Sequence, residues 1–230
     1  MAEVRPAIAV VIEARPGGLS VRRGLPPPAE LPRLLSAAPH RLLFTAGALM
    51  LIVSMAWWAL VWLTARFGLG ALPAAPVSVG RAHAVLAVYG MFGPFVFGFL
   101  LTVFPRWLAQ SALVRRDYVP VFAGLFGGGM SSQLGMLGSR GLLIAGLVLL
   151  LGGWCAGLLA LGRRAKSAAW RDAYTASILL AVSLGAAGLA AFLAHVLGGP
   201  DGLASVAVAC GLFGLLVPVY FTVCHRMIPF

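Results

Sequence analysis

Six stretches of about 20 residues, none holding a Lys, Arg, Asp or Glu, dominate the sequence: 42–65, 82–105, 118–137, 141–162, 174–197 and 203–223. A run of that length crosses the hydrocarbon layer of a bilayer as a helix. None of the runs alternates polar with apolar residues as barrel strands do. A backbone amide inside lipid finds no water, so each run must close its hydrogen bonds within itself. Composition agrees, because 61% hydrophobic and 10% charged residues is more apolar side chain than a soluble domain of 230 residues can hide. The expected fold is all-α, a polytopic transmembrane helix bundle with about six spans.

Residues 1–40 read differently. The stretch "RPGGLSVRRGLPPPAELPR" is rich in Pro and Arg and has no amphipathic period, so this basic arm is expected to be mostly unstructured. Within it "AIAVVIEA" suits a strand or a turn of helix equally. The transmembrane domain is then 41–230. Its first run is too long and starts too late for a cleavable signal peptide, and is expected to stay as a span. Of the 17 Lys and Arg, all but Arg66, Arg81 and Arg140 fall on the side of the amino terminus. The positive-inside rule therefore puts that terminus in the cytoplasm. The same asymmetry accounts for the net charge of +11, which signals topology and attraction to anionic lipid rather than nucleic-acid binding.

The third run is the weakest. "GLFGGGMSSQLGMLG" holds six glycines and the polar cluster Ser131, Ser132 and Gln133. Close helix packing explains small and hydroxyl-bearing residues in lipid, and a ligand cavity explains them too. Were this run not to cross, everything after it would change sides.

All six carboxylates (Glu3, Glu13, Glu30, Asp117, Asp172, Asp201) lie outside the runs. A proton-coupled transporter or pump normally keeps an acid within the membrane, so those classes are disfavoured. Ser-His-Asp order, a Gly-rich phosphate loop and HExxH are missing. Cys155, Cys210 and Cys224 show no CxxC spacing and read as apolar fillers. The four histidines remain. His83 opens the second run and His195 closes the fifth, so both belong at one membrane face. His40 and His225 belong at the other, about 30 Å away. His40 reads as a solvated residue beside the membrane. Two imidazoles from different helices at one depth are what a low-spin haem takes as axial ligands. From His83 a stripe of small residues continues through Ala87, Gly90, Pro94 and Gly98, and from His195 back through Ala191 and Gly188. That stripe suits either a slot for a flat plate or a helix-packing seam. His225, between Cys224 and Arg226, is a candidate metal ligand. It would share a metal with Cys224 only if the helix ended there, because adjacent helical residues diverge by about 100°.

Two segments carry a family resemblance. "HAVLAVYGMFGPFVFGFLLTVFPRW" has an early histidine, glycines, GFLLT, a proline and a tryptophan, and "CHRMIPF" has an arginine followed by isoleucine-proline-phenylalanine. In that order they resemble the NnrS family of bacterial inner-membrane proteins. The resemblance implies a multi-pass protein of the cytoplasmic (inner) membrane that contains haem and copper. Its role would lie in denitrification and in protection against nitric oxide and nitrosative stress. By position His83 matches the family's early histidine, Gly90 and Gly98 its glycines, and Arg226, Ile228 and Pro229 its later motif. Many members follow the first histidine with a second and an acid, where this chain has Val85 and Leu86. Members are also longer, with about twice as many spans, which implies that a chain ending at Phe230 is a truncated product, a fragment or a half-length relative. With no buried acid and no multi-histidine cluster, the expected activity is binding, sensing or shielding of nitric oxide rather than its turnover. The alternatives are an accessory or assembly subunit packing against a membrane partner or a second copy, and a channel or carrier for a small neutral solute.

Overall fold

The computed structural model describes residues 10–15, 18–23, 27–68, 72–165 and 172–228. Among them, six helical rods run up and down: α1 (Pro39–Phe67), α2 (Val79–Trp107), α3 (115–135), α4 (Arg140–Ala165), α5 (Ala173–Val196) and α6 (Gly202–Met227). All but α3 are long and apolar enough to cross a membrane. The weaker hydropathy of α3 comes from its glycines and from residues 131–133. It still runs the length of the bundle. At its start the Arg115 guanidinium and the Tyr118 hydroxyl donate to the Ser36 carbonyl, at 3.0 and 2.7 Å, just ahead of α1. Just past its end, Met136 and Leu137 line a small cavity with Trp57 and Val61 of the far part of α1.

Within the arm two strands are described, a strand being one of the two forms that "AIAVVIEA" suits. β1 (Val10–Arg15) pairs antiparallel with β2 (Gly18–Arg23), Ile12 opposite Val21 and Arg15 opposite Gly18. The β-branched residues Val10, Val11, Ile12 and Val21 favour strands. A short helix at Leu31–Leu35 then leads into α1.

α2 is the axis of the bundle. Two thirds of its apolar window (67%) is buried, against 28% for α1 and for α6, which turn Ile52, Trp62, Phe213 and Phe221 outward. Lipid is the solvent for such a surface. The core gathers round Trp154 of α4, whose ring meets Tyr89 and Phe97 of α2 edge-on at 5.5 and 4.9 Å. Burying aromatic rings in this T-shaped arrangement adds about 0.5–1.5 kcal/mol per pair beyond area burial.

Two devices shape the core. One is a glycine seam: a Cβ at Gly124, Gly128 or Gly135 of α3 would overlap the α4 backbone at Gly153, Leu150 or Leu143. Without side chains, the two rods approach to backbone contact, the usual source of helix association in lipid. The other is a π turn inside each of α2 (Leu86–Phe92), α3 (Ala123–Gly127) and α6 (Cys210–Leu216). Wider turns leave carbonyls short of their usual amides, and side chains meet two such groups near these turns. The Trp154 indole N–H donates to the Tyr89 carbonyl at 3.3 Å, and the Tyr89 hydroxyl donates to the Ala207 carbonyl at 2.7 Å. α2, α4 and α6 are thereby tied at one level.

Candidate functional site

The bundle has two polar ends. At the histidine end, the His83 ring in the first turns of α2 lies flat on Trp58 of α1, with centroids 4.1 Å apart and planes 10° apart. Trp57 stands 6.5 Å away. The Nδ1 atom of His83 is buried without a protein hydrogen-bond partner. His195, near the end of α5, lies 6.0 Å from the Phe192 ring. Its Nδ1 is 3.8 Å from an Asp201 carboxylate oxygen, within electrostatic reach and beyond a hydrogen bond. The same oxygen accepts from Arg81 at 3.0 Å, while Arg140 donates to the Val196 carbonyl at 2.8 Å. Arg81, Arg140, His195 and Asp201 line an open notch of about 440 Å³.

His83 and His195 thus share one end of the bundle but face different neighbours. Arg81 and His83 stand two residues apart, about 200° round a helix. With Arg81 turned to Asp201 and His195, His83 is turned to α1. The stripe of small residues beneath them is filled. Met50 and Gly129 abut Gly90, Phe44 and Leu43 occupy the space at Gly98, and the Tyr89 hydroxyl and Cys210 fill the space at Gly188. A porphyrin is about 10 Å across by ordinary molecular dimensions, too large for the space this packing leaves between the rods. The imidazole nitrogens suit an iron; an enclosed slot for the ring does not exist among the described residues.

The other end holds a clasp that the sequence did not disclose. Arg226 of α6 pairs with Asp172 at 3.0 Å, donates to the Trp107 carbonyl at 3.3 Å, and lies over the Trp107 and Tyr174 rings at 4.9 and 5.4 Å. Asp172 precedes α5 and caps it, accepting from the Tyr174 amide and the Thr175 hydroxyl at 3.2 and 2.6 Å. Partial burial pushes the Asp172 carboxyl up, but those hydrogen bonds and the Arg226 charge outweigh it and hold the group below its usual value. Trp107 closes the first family-like segment and Arg226 belongs to the second, so the clasp joins the two. Pro229 lies outside the described residues. His225 belongs here too, its Nδ1 2.8 Å from the Tyr174 hydroxyl. The helix continues to Met227, so Cys224 and His225 stay on diverging faces, and among the described residues no three His, Cys, Asp or Glu gather as a metal group. His40 is half-buried rather than solvated, its Nδ1 3.3 Å from the Thr102 hydroxyl.

In the half of the bundle nearer His83 and His195, Ser54 and Gln133 are buried and make no hydrogen bond to the protein through their side chains. Met50 of α1 touches Gly129 of α3, and Ser54 and Gln133 stand one turn further along each rod in the same direction.

Exposed apolar flanks, polar ends and rods of membrane-crossing length define a multi-pass helical membrane protein. The family model described as "NnrS protein" matches residues 34–230, and the chain belongs to the NnrS family. No curated protein and no solved structure matches it.

Proposed function

We propose that this NnrS-family protein sits in the bacterial inner membrane with its arginine-rich end in the cytoplasm, and serves the nitric-oxide and nitrosative-stress response by binding or shielding rather than turnover. The observation that carries the reading is the family match over residues 34–230. Two imidazole Nδ1 atoms without protein partners at one end support it, since a buried polar group left unmet marks a place for a ligand. With the interhelical stripe filled, the group assigned to this end is a haem held from the rim. His195 at the notch would be its nitrogen donor, with Arg81 and Arg140 as cations suited to its propionates, and His83, turned to α1, would be a separate nitrogen donor at the same end. A haem held here would supply an iron able to take nitric oxide, and the chain would supply a histidine nitrogen and apolar surroundings. Copper, which the family implies, has no three-ligand site among the described residues, and His225 is the single donor assigned to it.

The test is a reduced-minus-oxidised spectrum of the full chain purified in detergent after expression with ample haem. A Soret band weakened by His195→Ala and by His83→Ala is expected. Its absence from the unaltered chain refutes the reading.

One observation favours a second reading, a path for a small neutral solute. Gln133, 3% exposed, has no protein partner for either amide atom, beside a similarly unmet Ser54. Flux into liposomes abolished by Gln133→Leu would support it, and flux equal to that of empty vesicles would remove it.

A further inference from the structure

Beside the clasp, the arginine-rich end carries a cleft that the clasp does not use. Between the α2–α3 connection, the start of α3 and the end of α4 lies a cavity of about 790 Å³, with Gln110, Ser111, Arg116, Asp117, Arg163 and Arg164 among its lining. Its wall is fixed by hydrogen bonds. The Gln110 side-chain amide donates to the Arg164 carbonyl at 2.8 Å, and the Arg164 guanidinium donates to the Ser111 hydroxyl at 3.4 Å. Asp117, the one acid lining the cavity, is already engaged: it lies 3.8 Å from Arg164 and accepts the Val114 amide at 3.2 Å, capping α3. Among the described residues no carboxylate pairs with Arg116 or Arg163, both exposed at the mouth. The cleft therefore carries an uncompensated positive charge.

A second, narrower space shares Arg116, Asp117, Ala160 and Arg163 with this cavity and runs on between Pro120, Ala156 and Leu159. Leu159 and the neighbouring Val119 are exposed apolar residues of the lipid-facing flank. Arg116 is the second residue of α3 and Arg163 stands two residues before the end of α4, so the mouth lies where apolar rod gives way to polar connection. A cationic mouth that continues into an apolar groove matches an amphiphile with an anionic head. Basic pockets between helices at this level are a recurrent way to hold acidic lipid.

We propose that this cleft binds an anionic diacyl phospholipid, its phosphate between Arg116 and Arg163 and an acyl chain along Pro120, Ala156 and Leu159. Choline-headed lipid is disfavoured, because its head carries no net charge to answer the two arginines.

The test is native mass spectrometry of the full chain, released from neutral detergent with dioleoylphosphatidylglycerol and dioleoylphosphatidylcholine at equal concentration. The phosphatidylglycerol adduct is expected to predominate, and Arg116→Gln with Arg163→Gln is expected to weaken it about tenfold or more, leaving phosphatidylcholine unchanged. The pair Arg33→Gln with Arg106→Gln removes the same charge from the same end outside the cleft, and is expected to change retention by less than about twofold. Should the first double variant fail to fold, the single exchanges, at exposed positions, carry the same prediction at about threefold each. Leu159→Trp, which fills the groove, is expected to weaken lipid binding. Equal retention of the two lipids, equal losses from both double variants, or displacement of the lipid by an equal concentration of inorganic phosphate each overturns the proposal.

Discussion

At the arginine-rich end, Arg226 engages Asp172, the Trp107 carbonyl and two aromatic faces, and Asp172 in turn caps α5. At the histidine end, His83 rests on Trp58 and His195 stands near Asp201, yet each keeps a buried nitrogen without a protein partner. Both ends mix aromatic rings with ionisable groups. Only the Arg226–Asp172 cluster is closed. A closed polar cluster secures the fold, because breaking it leaves a charge unanswered; an open one costs the fold something and is retained where a ligand repays it. The comparison assigns holding to the clasp, and the proposed haem site falls at the end that is left open.

Four changes test that division. Trp154→Ala removes the ring that packs on Tyr89 and Phe97 and ties α4 to α2 midway between the ends, with an expected loss of about 3–5 kcal/mol. Thermal melting in detergent should fall sharply, and haem retention and clasp should fail together. Arg226→Gln leaves Asp172 without its cation and is expected to cost about 1–2 kcal/mol, discounted for the partial exposure of both groups. Haem retention per folded molecule should not change, and a loss of it would mean the ends are not separate. Acid should act in the same place. Asp172 is held below its ordinary value of 3.8, so its contribution is complete above that value and lost as the pH falls through the lowered one. Asp172→Asn should flatten this limb of a stability-against-pH curve. Smallest in stability is His83→Ala, which gives up one stacked ring contact worth about 0.5–1.5 kcal/mol. A melting point nearly unchanged beside a weakened Soret band would sharpen the contrast, whereas a large drop in melting would make His83 a structural residue.

The rods were legible because lipid demands long uncharged helices and the sequence spells them out, even at α3, where glycines and Ser131–Gln133 dilute the signal. The glycines were legible only as an open choice. Spacing cannot say whether a small residue makes room for a ligand or for a neighbour, and at Gly98 and Gly188 the answer came from Phe44 and the Tyr89 hydroxyl. The stripe from His83 to Gly98 also presumes a constant pitch, which the π turn at Leu86–Phe92 breaks. The clasp had one readable element: Asp172 immediately before an apolar run is a helix-cap signal. That Arg226 would reach it, and Trp107 as well, depends on three chain segments meeting, which no local pattern encodes.

The widened turns in α2, α3 and α6 also bear on how such a chain changes over generations. Each is a place where one residue can be lost or gained without severing a rod. A single deletion within 86–92 would return α2 to ordinary pitch and leave His83 near its present bearing relative to Trp107, because the wider turns already absorb one extra residue. Lineages can therefore lengthen or shorten a rod by a codon's length of DNA while the residues at both of its ends keep their grip.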